Sequence, residues 1–170
     1  MGQDVIEFMP ANIAVLTVSD TRTEKNDRSG QFLVNALQNA GHSLVDKKIV
    51  IDNIYQIRAI ISQWVAEKDI QAILITGGTG FTSRDCTPEA IKPLFDKEVE
   101  GFGELFRTLS FQEIGTSTIQ SRAVAGFANH TIIFAMPGST DACSTGWNGI
   151  INQQMNARHR PCNFMLHINV

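Results

Sequence analysis

Ile70-Gln71-Ala72-Ile73-Leu74-Ile75-Thr76-Gly77-Gly78-Thr79-Gly80 passes from an almost unbroken apolar run into three glycines within four residues. The apolar half is too short for a typical helix and reads as a strand buried on both faces. The glycine half lets backbone approach a ligand closely and permits positive φ. A doubly buried strand that ends in such a loop points to an α/β protein, in which ligands bind beyond the carboxyl ends of parallel strands.

Two further runs have the same character, Ile13 to Val18 and Thr131 to Met136. Leu44 to Ile51 reads as a strand with a charged middle (Asp46, Lys47, Lys48), which suits a place near a sheet edge. Between the strands the apolar spacing turns helical. Phe32, Leu33, Ala36, Leu37 and Ala40 form one face, stopped by Gly41. Ile54, Ile57, Ile60, Ile61, Trp64 and Val65 form a second, with Asp52 or Asn53 as its cap. Thr87-Pro88-Glu89 predicts a helix start with Thr87 as N-cap. Phe102, Leu105, Phe106 and Leu109 mark another helix, and Ala142 to Ile151 a last one, weakened by Gly146 and Gly149. Strands alternating with helices predict one α/β domain with a mainly parallel sheet. Its expected limits are 13–157, with an N-terminal extension over 1–12 and an irregular C-terminal tail over 158–170.

Composition narrows the function classes. The 170 residues carry 14 Lys+Arg and 17 Asp+Glu, a net charge of −3, which argues against a nucleic-acid binder. No apolar run approaches the roughly 18 residues of a membrane span. Met1 to Pro10 lacks the pattern of a secretory signal, and Ile6 breaks the myristoylation pattern that Gly2 would open. Cytoplasm is the expectation. Cys86, Cys143 and Cys162 are odd in number and show no CxxC spacing, so neither a disulfide framework nor a thiolate metal site is expected. His42, His130, His159 and His167 are scattered and read as solvated or singly hydrogen-bonded.

The chemistry gathers after strand ends. Backbone amides of the glycine loop, and of the helix start near Thr87, would suit phosphate, with hydroxyls from Thr76, Thr79, Thr82 and Ser83 beside them. The loop is neither a Walker A motif nor GxGxxG. Asp85 and Asp52 stand at two strand ends. Carboxylates beside phosphate make sense chiefly with Mg²⁺, although helix capping would also explain Asp52. Asp20 and Asp27 read as solvated loop acids, with a substrate-facing role as the alternative, and Cys86 as a bystander. Arg122 calls for an anionic partner, either a structural carboxylate or a ligand phosphate. Pro137-Gly138-Ser139-Thr140 is either a plain connection or a turn that holds an anion.

Taken in order, Thr76-Gly77-Gly78-Thr79-Gly80, Asp85-x-Thr87-Pro88-Glu89, Glu100-Gly101-Phe102-Gly103-Glu104, Ser121-Arg122 and Pro137-Gly138-Ser139 closely resemble the molybdopterin-binding family of molybdenum cofactor biosynthesis. The resemblance runs from about Ile13 to the tail. It implies a three-layer α/β sandwich, usually assembled as a homotrimer. It implies molybdopterin as ligand and, in the family's adenylyltransferases, Mg²⁺ and ATP, with adenylyl-molybdopterin and pyrophosphate as products. By position, Asp52 and Asp85 match the family's catalytic and metal-binding acids. Thr76, Gly77, Gly78, Thr79, Gly80, Thr87, Pro137, Gly138 and Ser139 match its nucleotide- and phosphate-binding segments. Other enzymes of that pathway are the implied partners. Thr140 and Glu100 stand where those adenylyltransferases commonly have proline, so a protein that binds or delivers molybdopterin without turnover is the alternative.

Only Arg122 and Asp141 are charged between Gly115 and Ala157. Interface cores are depleted of charge, so this segment is expected to form a subunit contact.

Overall fold

A computed structural model describes residues 6–168, so the readings made on Gly2 and its immediate neighbours lie outside the described residues. The sheet has six strands in the order β2-β1-β3-β6-β5-β4. These are β1 (Asn12–Val18), β2 (Ser43–Val50), β3 (Ala72–Thr76), β4 (Lys97–Glu98), β5 (Val124–Ala128) and β6 (Thr131–Met136). β2, β1, β3 and β6 run parallel, while β5 is antiparallel to β6 and to β4.

The central strands are mostly apolar because both faces are covered, with Thr17, Thr76 and Thr131 as buried polar exceptions. Ile13, Val15, Leu74, Ile132 and Phe134 face one helical layer, built from α1 (Arg28–Asn39), α4 (Glu100–Ile114) and α5 (Thr140–Gly146). Leu33, Leu37, Phe102, Phe106 and Trp147 fill that side. Ala14, Leu16, Ile73, Ile75 and Ile133 face the other layer, where α2 (Ile54–Ala66) and α3 (Thr87–Ile91) contribute Ile57, Ile61, Trp64 and Ile91. The result is a three-layer sandwich. Alternation of side chains along each strand splits the core into two, as period-2 geometry requires.

The charged middle of β2 does lie at the sheet edge. Its register against β1 shifts between Ile13 and Ala14, and charge plus irregularity keeps an edge from pairing with another chain. Asp46 is not idle, since its Oδ2 accepts from Trp64 Nε1 at 3.0 Å.

Four expectations need correction. β5 and β4 were not anticipated: β5 is five residues with Gly126 inside, and β4 is two. They join the sheet through a two-residue hairpin at Asn129 (φ 47°) and His130 (φ 64°). Positive φ at both positions matches the right-handed twist of the strands. The Asn before a short apolar run was the available signal. Thr87 does not cap its helix. The cap position is Cys86 without a side-chain bond, and the Thr87 hydroxyl instead donates to the Gly77 carbonyl at 2.9 Å. Asp27 is not solvated: its side chain is fully buried and caps α1 by accepting from the Gly30 amide at 3.0 Å. Finally, the last helix is interrupted by a π-helical turn at Trp147–Ile151 before α6 (Asn152–Gln154). The stretch beyond Arg158 ends in α7 (Met165–Ile168), with Met165 and Ile168 packed into the core.

The charge-poor segment from Gly115 to Ala157 is interior in part. Every residue of β6 is buried, and so are Cys143, Trp147, Ile150 and Ile151. Burial accounts for the missing charge at these positions.

Candidate functional site

The carboxyl ends of β1, β2, β3 and β6 lie along one edge of the sheet and bring four loops together. They enclose a cavity of about 400 Å³ lined by Thr17, Val18, Ser19, Thr21, Arg22, Ser29, Asp52, Thr76, Gly77, Gly78, Thr79, Gly80, Asp85, Pro137 and Gly138. A larger cavity of about 780 Å³ lies beside α4, lined by Phe81, Glu104, Arg107 and Ile119 among others, and contains neither Asp52 nor Asp85. Chemistry favours the smaller one.

The glycine loop is held by its carbonyls. Gly77 accepts from the Thr87 hydroxyl, Gly78 from the Thr87 amide at 2.9 Å, Thr79 from the Arg122 amide at 2.9 Å and Gly80 from Arg122 Nε at 2.7 Å. With four successive carbonyls turned to the protein body, the amides of Gly78, Thr79 and Gly80 have no partner among the described residues. The Gly77 amide is already committed to Met136 at 2.9 Å. Glycine is required here: Gly77 has φ 106° and packs on the Val18 carbonyl, and Gly78 has φ 67° and packs on the Thr87 hydroxyl and the Asp52 carboxylate. A side chain at either position would be both strained and obstructed.

Arg122 settles the alternative left open for it. It makes an ion pair with Glu89, donates to the Asp85 carbonyl at 3.0 Å, and lies over the Phe81 ring. It is a brace for the loop.

The acids divide by environment. Asn53, not Asp52, caps α2, with its Oδ1 accepting from Tyr55 and Gln56. Asp52 is thereby left to the cavity, and its Oδ1 is buried without a hydrogen-bond partner. Burial, then the charges of Asp20 and Asp85, push its carboxyl above the ordinary range. Asp85 Oδ2 accepts from the Thr82 amide at 2.8 Å, which fixes the carboxylate against Gly80. Asp20 was read as a loop acid. It binds Arg84 through both oxygens at 2.8 and 2.9 Å and also accepts from the Asp52 amide at 3.1 Å. Those hydrogen bonds hold its pKa below the ordinary value. Asp20 thus positions the backbone of Asp52, a role that spacing alone did not reveal.

Of the residues singled out from sequence, Asp52, Asp85, Thr76 to Gly80, Pro137 and Gly138 meet in this cavity. Thr87 and Ser139 are not among its lining residues. Ser139 caps α5 by accepting from the Ala142 amide at 3.1 Å. Thr17, Ser19, Thr21, Arg22 and Ser29 were missed as lining residues. For all but Thr17, which lies in β1 itself, the signal was the polar segment that follows β1. The Thr79 hydroxyl is a second buried polar atom without a partner. Cys143 lies under the loop, its Sγ 3.2 Å from Thr76 Oγ1, with burial pushing the thiol up to about 12. A thiol so protonated is not a nucleophile. Burial and nearby carboxylates raise the pKa of Cys86 as well, which disfavours its thiolate.

The donor set suits a hard cation. Mg²⁺ takes oxygen ligands and commonly rests on one or two carboxylates while substrate phosphates complete its shell. Asp52 and Asp85 present that much and no more, since no group of three His, Cys, Asp or Glu side chains able to hold a metal occurs among the described residues.

A three-layer sandwich of this topology is a known class. The family model described as "probable molybdopterin binding domain" matches residues 14–157, and the chain belongs to that family. Molybdenum cofactor biosynthesis protein B of Escherichia coli strain K12 is 61% identical over 168 residues, 99% of each chain. The protein of the same name in Bacillus subtilis strain 168 is 44% identical over 138 residues, 81% of each chain. A crystal structure of molybdenum cofactor biosynthesis protein B superimposes with a TM-score of 0.84 at 40% identity, covering 86% of this chain and 92% of that one. The tungsten cofactor synthesizing protein of Pyrococcus furiosus does so with 0.76 at 37%, covering 83% and 90%. These relatives support a role for this chain in molybdenum cofactor biosynthesis. No described helix is long and apolar enough to cross a membrane.

Proposed function

We propose that this chain binds molybdopterin and transfers the adenylyl group of ATP to its terminal phosphate, releasing pyrophosphate. The observation that carries the reading is the cavity in which buried, unpartnered Asp52 Oδ1 meets the glycine loop and Asp85. An oxygen of the molybdopterin phosphate attacks the α-phosphorus of ATP, and the bond from that phosphorus to the bridging β-oxygen breaks. Both reactants are anions, so the site has to neutralise charge and keep them in line. Asp52 and Asp85 would hold Mg²⁺, which supplies that neutralisation when bound. The amides of Gly78, Thr79 and Gly80 donate to phosphate oxygens, and the Thr79 hydroxyl gains the partner it lacks. No general base is needed because the attacking phosphate is already ionised near neutral pH, in keeping with a cavity lined by no histidine.

The chain works in the cytoplasm, as a homotrimer, alongside other enzymes of the pathway. Phe111, Ile114 and Ile119 are 55%, 54% and 73% exposed at the end of α4 and in the turn after it, and support an assembly that covers them. Thr140 and Glu100 favour a second reading, a protein that binds or delivers molybdopterin without turnover.

Purified chain supplied with molybdopterin, Mg²⁺ and ATP is expected to form the adenylate and release pyrophosphate. Asp85→Asn should lower that rate by about 100-fold or more. Tight molybdopterin binding with no turnover would establish the second reading instead.

A further inference from the structure

Two arginines, Arg84 and Arg22, lie near the acids of the cavity and differ in how they are used. Arg84 is committed, with two of its nitrogens engaged by Asp20 at 2.8 and 2.9 Å. Arg22 lines the cavity itself, as do Asp52 and Asp85. Its guanidinium makes one contact, a donation from Nη1 to the Asn26 carbonyl at 3.3 Å, and it forms no ion pair among the described residues. A guanidinium has five donors, so most of this one is unspent.

The backbone under Arg22 is nevertheless fixed. Ser19 Oγ accepts from the amides of Thr21 and Arg22 at 3.2 Å, and Asn26 Oδ1 accepts from the Thr23 amide at 2.7 Å. The turn is closed by the Asn26 amide donating to Thr23 at 3.0 Å. Its base is anchored where the Ser19 amide donates to Val50 at 2.8 Å, next to the strand that leads to Asp52. A rigid turn thus presents a cation at a cavity whose other charged lining residues are carboxylates.

We infer that Arg22 binds a phosphate group of the ligand directly, without a metal between them, and so sets the preference for a phosphorylated ligand. This rests on the proposed transferase reading. A carboxylate side of the cavity accepts phosphate only through a cation, whereas a guanidinium takes two phosphate oxygens by itself. The hydroxyls of Ser19, Thr21 and Ser29 line the same cavity and can donate to the remaining oxygen. The phosphate can belong to molybdopterin or to ATP.

Calorimetric titration of the full chain separates these. Wild type, Arg22→Gln and Arg22→Lys are titrated with molybdopterin, with dephosphorylated molybdopterin and with ATP, each in EDTA and in Mg²⁺. Arg22→Gln should weaken one phosphorylated ligand by about 10-fold or more, in EDTA as in Mg²⁺, and leave dephosphorylated molybdopterin unchanged. Loss for molybdopterin or for ATP identifies which phosphate is held. Arg22→Lys should restore part of the affinity, since charge is kept and the fork is lost. Equal affinities of wild type and Arg22→Gln for both phosphorylated ligands would overturn the assignment while leaving the transferase reading in place. Wild type that binds without turnover overturns the transferase reading alone, and wild type that binds neither ligand overturns both. Unchanged thermal unfolding of the variants keeps the comparison free of folding effects.

Discussion

Arg122 Nε donates to the Gly80 carbonyl at 2.7 Å, reaching from the start of β5 to the loop that follows β3. The same guanidinium pairs with Glu89 and donates to Asp85, so one side chain spans the loop from its glycines to the start of α3. Arg122→Ala leaves two carbonyls without donors and should cost about 1–3 kcal/mol of stability. Because the loop is loosened, affinity for ATP or molybdopterin should fall by about 10-fold. Urea unfolding and calorimetry measure the two effects. Arg122→Lys cannot reproduce a three-way contact and should recover little.

Asp27 is more deeply committed than Arg122. Its Oδ2 accepts from the Thr17 hydroxyl at 2.9 Å and stands 3.0 Å from Lys47 Nζ, with the Asp27 side chain fully buried. Removing one partner of a buried pair leaves the other uncompensated. Asp27→Ala should destabilise the fold by about 3 kcal/mol, at the low end for such pairs because Glu24 remains 2.9 Å from Lys47. Chemical denaturation tests this.

Asp52→Asn separates activity from stability. The raised pKa of Asp52 means that its ionised form is disfavoured in the folded state. The fold therefore binds that proton more tightly than the unfolded chain, and stability rises as pH falls through the raised value. At neutral pH the charge is a cost that asparagine removes. The variant should melt at higher temperature than wild type without Mg²⁺, yet lose turnover by about 100-fold or more. Adding Mg²⁺ should raise the melting temperature of wild type and leave that of the variant nearly unchanged.

His42 gives the opposite pH dependence. It is buried beside the rings of Phe8 and Trp147, and its Nδ1 accepts from the Ala11 amide at 3.1 Å. Burial holds its pKa below the usual value. A proton on Nδ1 would set two donors against each other. The unfolded chain binds the proton more readily, so stability is full above about pH 6.5 and falls as the pH drops through the lowered folded value. Thermal melts between pH 7.5 and 5 should show the decline, and His42→Asn should flatten it, because its side-chain oxygen accepts from Ala11 at any of these pH values.

The parallel part of the fold was legible because it is written in nearly continuous apolar runs: Ile13 to Val18, broken by Thr17 alone, Ile73 to Ile75 and Ile132 to Met136 are buried on both faces. β4 and β5 were not legible. A two-residue strand carries no period, and Gly126 dilutes the other. The cavity was legible where glycine or acid follows a strand closely, as at Gly77 after β3 and Asp52 after β2. It was opaque where a residue's role depends on a neighbour distant in sequence. Asp20 and Asp27 lie in one polar segment and look alike, yet one meets Arg84 at the surface and the other meets Lys47 in the interior. Nothing local distinguishes them.

The position of β6 sets a schedule. It lies between β3 and β5, yet it is the last strand in the chain. Every other strand must be made before the gap in the sheet closes and Pro137 and Gly138 reach the cavity. The binding site thus cannot precede the finished sheet. Whatever ligand occupies it acts as a clamp on the completed molecule, and protection from proteolysis by that ligand would report on the integrity of the entire sheet.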